Sequence, residues 1–109
     1  MNEKDRALVM EFKKGLPADL KTHLKQLIVF GSRITGKALA DSDLDMVALV
    51  DEKTVEIEKR FEDIAYQVMW DYDFNPIISL KVLAESRFHD ALNKGYSFYR
   101  NIEEKGVTV

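Results

Sequence analysis

Two short segments near the middle of the chain carry residues that can do chemistry together. Gly31 and Ser32 follow four consecutive apolar residues, and ten residues later Asp43 and Asp45 open a second apolar run. A glycine lets the backbone approach a phosphate closely, and a serine hydroxyl adds a hydrogen-bond donor. Two carboxylates at positions i and i+2 of a strand share one face, where they suit Mg²⁺ that is also bound to substrate phosphates. The pattern therefore predicts a site for a phosphorylated ligand with one or two divalent ions.

Each of these residues also has a plainer interpretation. Arg33 directly follows the glycine and serine, so it is a candidate ligand for the triphosphate of a nucleotide, but a surface ion pair explains it equally well. Gly31 and Ser32 are also compatible with a simple turn. Asp43 and Asp45 are also compatible with a role in a turn or a helix cap. Because unpaired carboxylates in a buried strand are costly, the metal-binding interpretation is favoured for the two aspartates.

The surrounding sequence predicts the elements that hold these residues. Apolar residues 27–30 read as a buried strand that ends at Gly31, and residues 43–50 as a second strand. Apolar positions three or four apart predict a long helix from Thr54 to Tyr72. A third strand is predicted over 77–83, after Pro76. Four further helical segments are predicted, namely two before residue 25, one ending near Gly95 and one over 97–106. The predicted fold is α/β, a small mixed β-sheet flanked by helices in a single domain over residues 1–109.

Composition narrows the classes of function. The chain has 109 residues, no cysteine and a net charge of −3, which excludes disulfides and thiolate chemistry and argues against direct nucleic-acid binding. The charged N-terminus and short apolar runs predict a cytoplasmic protein with no membrane association.

Residues 41–73 hold three Lys/Arg and eleven Asp/Glu, a net charge of −8. This acidic stretch is either a solvated surface or a docking surface for a basic partner. Trp70 and Phe98 are predicted to pack in the core or at an interface rather than against nucleic-acid bases.

The combined pattern resembles a known family. The segments Phe30-Gly31-Ser32-Arg33-Ile34-Thr35-Gly36 and Asp41-Ser42-Asp43-Leu44-Asp45 are similar to the signature of the DNA polymerase beta nucleotidyltransferase superfamily, and within it to the minimal nucleotidyltransferases. The resemblance extends over nearly the whole chain, with a looser similarity in the tail from Ser97 to Gly106. It implies a polymerase-beta-like nucleotidyltransferase core.

The resemblance also implies an activity and a partner. Such proteins transfer a nucleoside monophosphate, usually AMP from ATP, to a hydroxyl with the help of Mg²⁺. Here Asp43 and Asp45 would be the catalytic and metal-binding residues, and Gly31, Ser32 and Arg33 would bind the nucleotide. Many members are encoded beside a HEPN-domain toxin and act as its antitoxin, some by adenylylating it. The expected acceptor is therefore a hydroxyl of such a partner protein.

The sequence departs from the family pattern at one position. The superfamily normally has a third carboxylate on the later strand, but residues 77–83 contain no acid, and Ser79 occupies the nearest equivalent position. Asp71 and Asp73 lie before Pro76 and would reach the site only if the strand began earlier. Since general-base catalysis then has no obvious group, the alternative function is a weak or inactive nucleotidyltransferase fold that acts by binding its partner.

Overall fold

The computed structural model describes residues 1–37 and 41–109. In chain order its elements are α1 (Glu3–Lys14), α2 (Ala18–Lys21), β1 (Leu24–Phe30), α3 (Ser32–Thr35), β2 (Leu44–Val50), α4 (Val55–Asp71), β3 (Ile78–Ala84), α5 (Glu85–Asn93), α6 (Ser97–Lys105) and β4 (Val107–Thr108). Within the described residues, no helix is long and apolar enough to cross a membrane.

The strands form one mixed sheet in the order β3-β2-β1-β4. β1 pairs antiparallel with both β2 and β4, whereas β2 and β3 are parallel. The register places Asp45 opposite Phe30 on one side and opposite Ser79 on the other. The end of β1, the start of β2 and the start of β3 therefore meet at the same end of the sheet.

The alternation of side chains along β2 produces an apolar core on each face of the sheet. Leu44, Met46 and Ala48 pack with the helices α1, α2 and α4 on one face, while Val47 and Leu49 pack with Phe88 of α5 and Ile102 of α6 on the other. Both faces are covered by helices, so the apolar runs of β1 and β2 are buried nearly throughout. Asp45 has the same parity as Val47 and so belongs to the α5/α6 face.

Side-chain caps begin the two longest helices where the sequence offers them. The Asn2 side chain accepts a hydrogen bond from the backbone N–H of Asp5 at 2.7 Å, and the Thr54 hydroxyl accepts one from Ile57 at 3.0 Å. The mixed α/β fold and its three main strands are as the sequence predicts. Two small elements were not predicted, the one-turn helix α3 after Gly31 and the two-residue edge strand β4.

Candidate functional site

Gly31 joins β1 to α3 in a conformation that only glycine adopts readily. Its φ is +84° and its ψ is −163°, a region that is essentially closed to residues with a side chain. The carbonyl of Gly31 accepts hydrogen bonds from the N–H groups of Ile34 at 3.0 Å and Thr35 at 3.2 Å, which fixes the turn. The Ser32 hydroxyl makes no hydrogen bond to any residue described in the structure, so it is available to a ligand.

The backbone of Gly31 lies directly against the carboxylate of Asp45. A Cβ atom built on Gly31 would collide with Oδ2 of Asp45 and would lie 3.2 Å from its Cγ. The antiparallel register explains this contact, because Asp45 is opposite Phe30, the residue before Gly31. The structure therefore brings together the glycine turn and the aspartate, which are separated by more than ten residues in the sequence.

Asp43 and Asp45 flank Leu44, which is fully buried in the core on the α4 face of the sheet. Asp43 is exposed and Asp45 is half-buried, and neither forms an ion pair within residues 1–37 and 41–109. Burial raises the pKa of the Asp45 carboxyl above its ordinary value, and the nearby charge of Asp43 raises it further, while Lys81 opposes both. Two neighbouring carboxylates that form no ion pair with a described residue are suited to bind a cation.

Two residues of β3 complete the surroundings of Asp45. Ser79 is paired with Asp45 in the parallel register, and Lys81 is paired with Val47, two residues farther along. The Lys81 ammonium lies 5.9 Å from the centre of the Phe98 ring, and Phe98 packs edge-on against Phe30 at 5.9 Å. Sequence reasoning did not single out Lys81, although a charged residue in a mostly apolar strand is the same signal that marked the two aspartates.

The third carboxylate that the sequence lacks is absent from β3 in space as well. Ser79 is the β3 residue beside Asp45, as the sequence comparison predicted. Asp71 is the last residue of α4, and Asp73 lies in the turn that follows, so neither belongs to β3. Among the described residues, no group of three or more His, Cys, Asp or Glu is arranged to hold a metal ion. Further ligands for a divalent cation would have to come from a substrate and from water.

Arg33 is held by protein groups in this structure. Its Nε and Nη2 donate to the two carboxylate oxygens of Asp5 at 2.8 and 3.0 Å, and its Nη1 donates to the Ser42 carbonyl at 2.9 Å. Asp5 is only 1% exposed, and its hydrogen bond and charge raise the pKa of the Arg33 guanidinium. Arg33 thus fastens α3 to α1 and to the segment before Asp43. Arg33 therefore forms an ion pair with Asp5 in this structure, and contact of Arg33 with a phosphate stays a prediction.

Comparison with known proteins identifies a matching family and a similar curated protein. Residues 9–106 match the family described as "Nucleotidyltransferase domain". A curated protein of Methanocaldococcus jannaschii, named "Putative protein adenylyltransferase", is 33% identical over 91 residues, which cover 81% of this chain and 92% of the relative. A search of the solved structures finds no significant match.

Proposed function

Since this chain belongs to the nucleotidyltransferase domain family, we propose that it transfers AMP from ATP to a hydroxyl of a partner protein. One observation carries the proposal, namely that Gly31 is pressed against the Asp45 carboxylate, next to Asp43. The glycine turn is thereby placed beside two carboxylates that form no ion pair with any residue the structure describes. The name of the archaeal relative supports a protein as acceptor.

Asp43 and Asp45 are the residues that would hold Mg²⁺. They fit the ion because neither carboxylate forms an ion pair with a described residue. Burial, followed by the nearby charge of Asp43, raises the pKa of Asp45, and Lys81 opposes this shift. Two carboxylates completed by phosphate oxygens and water are the usual protein environment of Mg²⁺. The chemistry that the ion supplies when bound is neutralisation of the triphosphate and stabilisation of the departing pyrophosphate.

The residues around the aspartates have separate tasks. Because Gly31 has no side chain, the turn leaves room for the Asp45 carboxylate, and the Ser32 hydroxyl would donate to a phosphate oxygen. The acceptor hydroxyl attacks the α-phosphorus of ATP, the bond to the β-phosphate breaks, and pyrophosphate leaves. Ser79 is neutral and supplies no base beside Asp45, so the proton of the acceptor passes to water. Because a positioned base contributes about 10²- to 10⁴-fold, we expect transfer to be slow.

Ser79 also favours a second candidate function. With no carboxylate on β3, the chain would bind the partner and ATP without transferring AMP. In both versions we propose that the partner is a HEPN-domain toxin and that this chain is its antitoxin in the cytoplasm. Residues 41–73, with their net charge of −8, support a basic partner because opposite charges steer association.

Titration calorimetry with ATP and Mg²⁺ tests the nucleotide site. We expect binding by the wild-type chain and a loss of binding in Asp43→Asn and Asp45→Asn. The matched control is Asp51→Asn, since Asp51 follows the other end of β2 and is hydrogen-bonded to His23 at 2.9 Å. If both variants bind Mg·ATP as the wild type does, the aspartates are not the metal site and the proposal fails.

A further inference from the structure

A cluster of exposed aromatic rings lies at the C-terminal end of α4. The side chains of Tyr66 and Trp70 are 53% and 58% exposed, and together with Phe74 they form three edge-on contacts with centroid distances of 6.3, 5.7 and 5.2 Å. The neighbouring Ile77 is also exposed. We call these four residues the aromatic platform. A contiguous apolar patch of this kind on a small domain marks a place where another molecule binds.

The backbone that presents Phe74 is unusual. Asp73 and Phe74 both have a φ of +55°, which is rare and unfavourable for residues with a side chain. The Phe74 N–H donates to the Met69 carbonyl at 2.8 Å, which holds the turn in place. This turn places the half-buried Phe74 ring against the exposed rings of Tyr66 and Trp70.

A groove beside the platform is lined by both apolar and acidic residues. It has a volume of about 380 Å³ and lies between α4 and the edge strand β3, with Met69, Ile78 and Leu80 among the residues that line it. Tyr66, Glu62 and Asp63 line it as well. Asp63 is paired with Lys59 at 3.2 Å, whereas Glu62 forms no ion pair with any residue that the structure describes.

The charges around the platform define its occupant. Residues 62–77 contain four carboxylates and no Lys or Arg. A surface that combines aromatic faces with a groove lined by apolar residues and carboxylates matches arginine or lysine side chains, whose alkyl stems pack on apolar atoms while the charged group meets a ring or a carboxylate. We propose that the aromatic platform and its groove bind an arginine-rich segment of a protein partner.

The platform adjoins the candidate site at the strand ends. The N–H of Leu44, which lies between the two aspartates, donates to the carbonyl of Ile77 at 2.8 Å. The platform lies on the α4 face of the sheet, whereas Asp45 lies on the opposite face. A partner bound to the platform would therefore lie next to the end of the sheet at which Asp43 and Asp45 are found. The idea that the platform docks the AMP acceptor rests on the proposed function. The idea that the platform binds an arginine-rich segment does not.

Trp70 is the single tryptophan of the chain, so its fluorescence reports occupancy of the platform. The probe is the peptide acetyl-Arg-Leu-Arg-Tyr-Arg-amide, and its counterpart has glutamate in place of each arginine. We expect the basic peptide to change Trp70 fluorescence in a saturable, salt-sensitive way and the acidic one to leave it unchanged. A basic peptide that does not bind, or an acidic peptide that binds equally well, overturns the proposal.

Variants locate the binding. Tyr66→Ser should weaken peptide binding about two- to fivefold, and Glu62→Gln about twofold. The matched control is Tyr96→Ser, because Tyr96 is 56% exposed but lies before α6, and this change should have no effect. Equal affinities of Tyr66→Ser and Tyr96→Ser would overturn the assignment.

Calorimetry of the wild-type chain separates the two proposals. Binding of Mg·ATP without peptide refutes the platform alone, and binding of peptide without Mg·ATP refutes the nucleotide site alone.

Discussion

Replacing Gly31 with alanine tests the contact that joins the two halves of the site. The new methyl group has two costs, because it forces a positive φ of 84° on a residue with a side chain and because it collides with the Asp45 carboxylate. The backbone cost is about 1–3 kcal/mol. Displacing Asp45 from its rotamer adds about 0.5–1.5 kcal/mol. We therefore expect Gly31→Ala to lower the free energy of unfolding by about 1.5–4.5 kcal/mol.

A double-mutant cycle separates the two costs. In an Asp45→Ala background the clashing oxygen and the Cγ at 3.2 Å are gone, and the remaining Cβ of residue 45 lies at 3.4 Å, an ordinary contact. Gly31→Ala should then cost only the backbone part, so the coupling between the two positions should be about 0.5–1.5 kcal/mol. Gly95→Ala is the control, since Gly95 also has a positive φ, 76°, but nothing lies within 4 Å of an added Cβ.

Urea unfolding of the wild type, both single variants and the double variant measures this coupling. The control Gly95→Ala should show no coupling to Asp45→Ala. If Gly31→Ala costs the same in both backgrounds, the glycine turn does not press on Asp45 in solution. The geometric basis of the site would then be wrong.

Three further predictions concern the same residues. Asp45→Asn should raise the melting temperature at neutral pH when no metal is added. The reason is that the pKa of Asp45 is raised in the folded chain, so ionised Asp45 removes stability as pH rises above its ordinary pKa; the gain should vanish at acidic pH in calorimetric scans, and a lower melting temperature at neutral pH would contradict it. Asp5→Ala should cost about 3–5 kcal/mol in urea unfolding because it leaves the Arg33 guanidinium, whose side chain is 11% exposed, without its counterion. Breaking the exposed Lys59–Asp63 pair should cost less than about 1 kcal/mol, and similar costs for the two changes would contradict a stabilising role of the Asp5–Arg33 ion pair. Ser32→Ala should weaken Mg·ATP binding by about 1–2 kcal/mol in calorimetry, and an unchanged affinity would remove Ser32 from the site.

The sequence predicts the parts of this protein that follow from local patterns. Four apolar residues before Gly31, the capped periodic pattern of α4 and the apolar run after Asp45 each specify an element, because burial and periodicity are local properties. The spacing of Gly31 and Asp45 indicates that they act together. That their atoms touch depends on the register of β1 and β2, which long-range packing sets.

Other features have no local signal. Asp5 is an ordinary acidic residue in the first turn of a helix, and only the tertiary structure places it against Arg33. The strand β4 has two residues, and it is defined only by its antiparallel pairing with Ile28 and Val29 of β1, which lie far away in the sequence. The exposure of Trp70 and Tyr66 is equally invisible in the sequence, where an aromatic residue on a helix suggests burial.

Transfer of label from ATP to the proposed HEPN-domain partner tests the central claim most directly. The purified chain and the partner are incubated with Mg²⁺ and ATP labelled at either the α- or the γ-phosphate. We predict that the partner acquires the α-label but not the γ-label, and that Asp45→Asn abolishes the transfer. A partner that forms a complex with the chain but stays unlabelled would contradict the enzymatic function.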